Sequence, residues 1–416
     1  MDVKTIFRSL SLTRFLEEID RRNFIWVVKR LSGNDTGLTG GHQAGLYLPR
    51  AYFERTFPKI CTREKYNPDD FLDDCYIPNA DILIKGLRAI YYNSKYFPEK
   101  GLKKKYDEFR LTRWGGSKTP LQETENTGSI CIFAVLRIQK KSVAVAWVAS
   151  SIEEENTIEG WLGEEVEPGR FIMRYAAPPL QPSMQHLAIP ASWMTTFPSG
   201  RDIFQHIVNL VPRANWKHTI DELLLKRRDI EFQLFEIIEQ NEVLPNIRKG
   251  FDSVEVFIKY AHSISNRRKS RTGTSLELNL AAIFRDEQIA FETQVITENR
   301  KKPDFLFPSA RAYHDHAFPT IKLHMLASKT CCKDRWRQVL NEANRIKTKH
   351  LFTLQQGVSV HQLQEMQDNN VQLVVPAPYM TSFPKERRGS LSTLEGFVAH
   401  IRSQQISVPD LKKWIK

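Results

Sequence analysis

The sequence predicts a two-domain protein: a mostly β, barrel-like first half, then a mixed α/β second half built on a central sheet. Three observations predict this. The chain has 416 residues, and domains run to roughly 100–200 residues each. Short apolar, β-branched runs between turn signals crowd the first half. In the second half, long helical patterns come first and then alternate with strands.

Taken in order, residues 5–19 carry helical periodicity and Asn23 to Arg30 (NFIWVVKR) forms a strand-like run. GLYLP from Gly45, DILIKGLRAIYY from Asp81, SICIFAVLRI from Ser129 and SVAVAWVAS from Ser142 follow as strands at uneven spacing, which suits a barrel-like domain. Pro178, Pro179, Pro182 and Pro190 punctuate YAAPPLQPSMQHLAIP as a linker. The expected division is therefore residues 1–178, a proline-rich linker at 179–190, and residues 191–416. DELLLKRRDIEFQLFEIIEQ and SRTGTSLELNLAAIFRDEQ are helical, and strands are expected at Ala290–Thr297 and Asp304–Phe307. Then come IKLHMLASKT (strand), DRWRQVLNEANRIK (helix), HLFTLQ (strand), SVHQLQEMQDNN (helix) and VQLVVP (strand).

Lys and Arg number 60 against 48 Asp and Glu, a net charge of +12, with a basic excess in both halves. Two separately basic domains fit a polyanionic partner, most often nucleic acid. At 41% hydrophobic residues the chain is not a disordered one. No apolar run approaches the roughly 18 residues that cross a bilayer, so no membrane partner is expected. Met1-Asp2-Val3-Lys4-Thr5 lacks a secretory signal, and the 5 cysteines include no CxxC pair. These features speak against a disulfide framework or structural zinc and place the chain in a reducing cytoplasm.

The strongest chemistry lies in the second half. Lys301-Lys302-Pro303-Asp304 opens a short strand, Lys329 ends the next, Glu342 follows in a helix, and Glu277 sits on the helix before the first strand. Two or three carboxylates and a lysine can bind Mg²⁺ and activate a water against a phosphodiester. The same residues also suit a solvated turn acid and a strand-end lysine. Tyr313 is either a phosphate or water ligand or a strand-edge tyrosine. Lys333, Asp334 and Arg335 follow at a helix start: Lys or Arg donates to guanine and Asp accepts from cytosine, so the trio suits adjacent G·C pairs. An ordinary helix N-terminus carries the same residues. Asn266 to Arg271 is expected to be a basic, phosphate-contacting loop before the Glu277 helix. Arg227 and Arg228 with Phe232 suit stacking on an extruded base, or a helix surface with one core aromatic.

In the first half, KRLSGNDTGLTGGHQAGLYLPR from Lys29 is a glycine-rich loop without GK[ST], hence not an ATP loop. His42 and Tyr47 are its candidate phosphate donors. KKKYDEFRLTRWGG from Lys103, with Glu108, Arg110 and Arg113, offers an opposing arm. Both segments also fit mobile surface loops.

Together the halves resemble the EcoRII family of restriction endonucleases along almost the whole chain. The matching stretches are KRLSGNDTGLTGGHQAGLY, RAIYYNS, LTRWGG, PLQETENTG, IRKGFDSVEVFI, SNRRKSRTGTSLEL, KKPDFLFPSARAYHD and CKDRWRQVLNEANRI. The resemblance implies an N-terminal effector DNA-binding pseudobarrel and a C-terminal nuclease domain of the PD-(D/E)xK type. It implies a bacterial homodimer that cleaves double-stranded DNA at 5′-CCWGG with Mg²⁺, engages more than one site, and pairs with a protecting cytosine methyltransferase. By position it implies a catalytic set of Glu277, Asp304, Tyr313, Lys329 and Glu342, with Asp304 and Glu342 as metal ligands. Ala327 stands where an acid usually precedes the lysine, and Glu342 supplies that carboxylate from elsewhere. Lys333, Asp334 and Arg335 match base-reading residues, and Arg228 and Phe232 match a flipped-base pocket, with Phe232 in place of tyrosine. His42, Tyr47, Lys104, Glu108, Arg110 and Arg113 match the effector cleft, while Tyr106 and Phe109 stand where basic residues are expected. The effector domain is expected to mask the nuclease cleft. A methylation-dependent nuclease and a DNA-binding regulator with an inert nuclease domain are the alternatives.

Overall fold

A computed structural model describes residues 2–40, 45–103, 105–138, 141–174 and 187–415. His42, Lys104 and most of the expected linker lie outside the described residues. The first half is an eight-stranded curled sheet made of β1 (Ile25–Arg30), β2 (Leu46–Leu48), β3 (Asp69–Ile77), β4 (Ile82–Tyr92), β5 (Glu108–Thr112), β6 (Ile130–Ile138), β7 (Lys141–Val148) and β8 (Ile172–Met173). Their spatial order is β2-β5-β4-β3-β7-β6-β1-β8. Every pairing is antiparallel except β3 with β7, where Asp74 lies opposite Val143. Curling brings the two edges together: the Tyr47 ring, on β2, lies 5.8 Å from Phe171, just before β8. The Lys29 ammonium, from β1, donates to the Tyr47 carbonyl at 3.1 Å. A sheet rolled until its edges nearly meet is the expected pseudobarrel.

The inner face is aromatic, with Phe109 stacked on Tyr91 at 4.1 Å and Phe53 at 4.8 Å from it. On the outer face Phe7 and Phe15, from two short helices, pack over Ile130, Ile132 and Trp147. Sequence periodicity suggests one helix there; the chain instead breaks at Ser9 (φ +57) and restarts with Ser11 capping the Arg14 amide. Strand β3 is hidden in the sequence by its acids. Asp69 and Asp70 pair with Arg88 and Arg137, and Asp73 accepts the Ser142 amide, so cross-strand partners replace an apolar outer face.

The second half carries a six-stranded mixed sheet in the order β14-β13-β12-β11-β10-β9. Its strands are β9 (Glu292–Thr293), β10 (Phe305–Phe307), β11 (His324–Lys329), β12 (Lys349–Thr353), β13 (Val371–Val375) and β14 (Ser392–Thr393). β9, β10 and β11 run antiparallel, and β11 through β14 run parallel. One face packs on Leu363 and Met366; the other packs Phe305, Phe307 and Phe352 on Leu280, Phe284 and Phe397. Two long helices, Ile220–Lys249 and Val254–Asp286, run beside it. The basic run Asn266 to Arg271 lies inside the second of these rather than in a loop before it, because the helix starts at Val254, capped by Ser253. The expected helix after Lys329 also differs. Asp334 takes φ +58, the chain makes only a 3₁₀ turn at Trp336–Asn341, and Glu342 is extended. Lys349 donates to the Glu342 and Ala343 carbonyls and so takes the acceptors a continuing helix would use. Among the described residues no helix is long and apolar enough to cross a membrane.

Candidate active site and DNA interface

Asp304 enters β10 and Lys329 ends the neighbouring β11, so antiparallel pairing sets the acid beside the lysine's strand. The Asp304 carboxylate is held there by the Ser328 amide (2.7 Å) and hydroxyl (3.2 Å). Glu277 reaches the same place from the long helix. Burial raises the Glu277 carboxyl, Asp304 adds to the shift, and Lys329 opposes it. Burial and then Asp304 push Glu342 up to about 7, again against Lys329. Both glutamates thus feel the same aspartate and the same lysine. This crowded set of oxygen ligands suits a hard divalent cation. Among the described residues no three His, Cys, Asp or Glu side chains close into a complete ligand set.

Tyr313 is placed differently from a free ligand. Its hydroxyl donates to both Glu298 oxygens at 2.7 and 2.6 Å, and Glu298 also accepts the Asn344 amide at 3.1 Å. Glu298 therefore ties Tyr313 to the segment that carries Glu342. Nothing in the local sequence marks it, since its partners are 15 and 46 residues away. His314 and His316 take no part in the carboxylate set; His314 meets the Ile296 carbonyl.

Lys333, Asp334 and Arg335 form a tight turn just beyond Lys329, with Asp334 exposed. The Lys333 ammonium contacts the Ser129 hydroxyl of the first half. Arg228 is buried and bound by Glu167 of the first half at 2.6 Å and by Ser275 at 2.8 Å. Arg271 meets the same Glu167 at 2.8 Å. Burial pushes the Glu167 carboxyl up, but Arg228 and Arg271 outweigh it and hold it at about 2. Arg170 lies 4.4 Å over the Phe232 ring and pairs with Asp229 at 3.0 Å. Glu164 pairs with Arg268 at 3.2 Å. One acidic segment of the first half thus occupies the basic face of the two long helices.

In the first half Tyr47, Glu108 and Arg110 line one cavity of about 250 Å³ with Lys29, Phe171 and, from the second half, Gln356 and Ser382. Arg110 is braced by Glu108 at 3.1 Å and by the Gly45 carbonyl. Arg113 is apart from this cavity, over Phe71 at 5.1 Å. Phe109 points into the barrel core, so it is a packing residue and not part of the cleft; Tyr106 is half-buried against Tyr92.

The family described as "Restriction endonuclease EcoRII, N-terminal" matches residues 21–177, and that described as "EcoRII C terminal" matches residues 235–398. The chain is 43% identical over 407 residues to the type II restriction enzyme EcoRII of Escherichia coli, covering 95% of this chain and 98% of that protein. The chain belongs to the EcoRII restriction endonuclease family. It is a type II, site-specific nuclease of two domains, an N-terminal pseudobarrel and a C-terminal restriction-endonuclease-like domain. Solved structures similar to it include metal-depleted Ecl18kI in complex with uncleaved DNA (17% identity, 55% of this chain and 89% of that one, TM-score 0.44). Another is the PspGI–substrate DNA complex (14% identity, 50% and 93%, TM-score 0.42).

Proposed function

We propose that the protein cleaves double-stranded DNA at 5′-CCWGG sites by Mg²⁺-dependent phosphodiester hydrolysis. The observation that carries this reading is the convergence of Glu277, Asp304, Lys329 and Glu342 directly before the Lys333–Arg335 turn. Asp304 and Glu342 are the residues that would hold Mg²⁺, which supplies charge stabilisation at the phosphate when bound. Lys329 orients the attacking water and offsets negative charge at phosphorus, leaving a 5′-phosphate and a 3′-hydroxyl. Lys333, Asp334 and Arg335 read the C·G pairs from the major groove, and Arg228 with Phe232 receives an extruded central base.

The division we propose is an effector domain at 1–178, a linker at 179–190 and a nuclease domain at 191–416. The effector cleft is the cavity of Tyr47, Glu108 and Arg110, with His42, Lys104 and Arg113 assigned by resemblance. The effector domain silences the nuclease: Glu167 and Arg170 fill the place of DNA at Arg228 and Phe232, and Ser129 engages Lys333. Phe171, a few residues on, lines the effector cavity, so a single segment walls both sites. For the homodimer, the support is the tip of the two-helix hairpin, which exposes Ile247, Val254, Val256 and Phe257.

The test is digestion of two plasmids lacking cytosine methylation in Mg²⁺ buffer, one with several CCWGG sites and one with none. Discrete fragments from the first plasmid alone are expected. Binding of CCWGG duplex without cleavage of either plasmid would favour a regulator with an inert nuclease domain.

A further inference from the structure

Gln355 lies just beyond β12 and is almost fully buried, with 1% of its surface exposed. Its side-chain oxygen accepts the backbone amides of Cys332 at 3.0 Å and Lys333 at 2.9 Å, and the Cys331 thiol at 3.1 Å. Its side-chain nitrogen donates to the Gly357 carbonyl at 2.8 Å. One carboxamide therefore clamps the chain between the strand-end Lys329 and the turn of Lys333, Asp334 and Arg335. That turn needs a clamp. Asp334 sits in the left-handed region at φ +58, and the Arg335 amide folds back on the Cys332 and Lys333 carbonyls at 3.1 and 2.6 Å. Aspartate tolerates this region better than most residues, yet it still costs energy, and fixed backbone partners hold the turn in it.

We propose that Gln355 is a positioning residue for sequence recognition: it fixes the backbone of the Lys333–Arg335 turn relative to Lys329, so that base reading and hydrolysis share one frame. This rests on the reading of that turn as the base reader. Geometry of this kind matters because a bidentate side chain discriminates a base pair only when its backbone is fixed to within a fraction of an ångström. Loss of the amide acceptor leaves two backbone N–H groups unpaired in a buried place, and the turn relaxes to pair them elsewhere.

The experiment compares full-length wild type with Gln355→Met, which keeps the length of the side chain but removes the acceptor, and with Gln355→Glu, which keeps an acceptor for both amides. Arg335→Ala is measured beside them. The readout is the ratio of kcat/KM on a CCWGG duplex to that on a duplex with one C·G pair replaced, alongside Tm and affinity for non-cognate DNA. Gln355→Met is expected to lower the ratio at least about tenfold with non-cognate affinity unchanged, and Gln355→Glu to keep most of it. A folded Gln355→Met with an unchanged ratio, where Arg335→Ala lowers it, overturns the proposal. An unchanged ratio in both overturns the reading of the turn itself. Should Gln355→Met fail to fold, Gln355→Ala is judged by the same ratio.

Discussion

Glu167 of the first half and Arg228 of the second half form a buried ion pair at 2.6 Å, although they are 61 residues apart in sequence. Both side chains are only 6% exposed, so the pair is shielded from salt and solvent.

If the N-terminal domain masks the nuclease as proposed, replacing Glu167 with glutamine should weaken the masking. The change takes the shared carboxylate from Arg228 and Arg271 but leaves the buried Glu231 near both, so the loss is about 1–3 kcal/mol, or roughly a 10- to 100-fold change in the ratio of masked to open protein. Cleavage of DNA carrying a single site should rise by at least about tenfold. Unchanged single-site cleavage by a folded variant would show that this pair does not restrain the nuclease.

Chemistry and binding should separate at the strand end. Lys329→Ala and Glu342→Gln each remove a charged group from the cluster around Glu277, Asp304 and Glu342, and either should lower cleavage about a thousandfold. Affinity for CCWGG duplex in Ca²⁺ buffer should stay within about threefold of wild type, because neither residue reads a base. A parallel loss of binding would mean that these residues build the interface and not the reaction.

The strands were legible where burial imposed a pattern, as in the apolar runs of β6 and β7. β3 was not, because its acids are satisfied by Arg88 and Arg137 from other strands. Asp304, Lys329, Glu277 and Glu342 were recognisable as residue types at a spacing that resembles a known family. Glu167, Glu298 and Gln355 were not: each is an ordinary polar residue locally, and its role comes from partners brought in by the fold. The extended segment at Glu342 was also hidden, since the helical pattern of DRWRQVLNEANRIK is overridden by the left-handed Asp334 and by Lys349 capturing carbonyls.

Acid should destabilise the nuclease domain before it titrates the Glu167 pair. His324 is lowered to about 3 by burial and then by His350 and His400; His350 is lowered to about 4 by burial and then by His400. The unfolded chain binds protons near 6.5 that the folded chain refuses, so stability is complete above that pH and falls as pH drops from about 6.5 toward 4. The loss at pH 4 is on the order of 3 kcal/mol per histidine at most. His350→Asn should flatten the dependence of Tm on pH between 4 and 6.5; an identical slope in the variant would assign the acid sensitivity elsewhere.

Gly33 provides a test of domain closure that involves no charge. A Cβ at this position would overlap the Ser382 carbonyl oxygen of the nuclease domain, while the Gly33 amide donates to the Gln356 carbonyl at 2.7 Å. The Ser382 carbonyl cannot swing aside as a flexible side chain does, so the Cβ of Gly33→Ala acts as a wedge between the two halves. Gln356 and Ser382 also line the cavity of Tyr47, Glu108 and Arg110. Separation should therefore uncover the proposed effector cleft and the nuclease face together. On the proposed masking, in which one closure covers both clefts, the variant is expected to bind CCWGG duplex more tightly and to cleave single-site DNA faster, the second effect being the one expected of Glu167→Gln. Measured by gel shift and single-turnover cleavage, a gain in one property without the other would mean that the two clefts open independently.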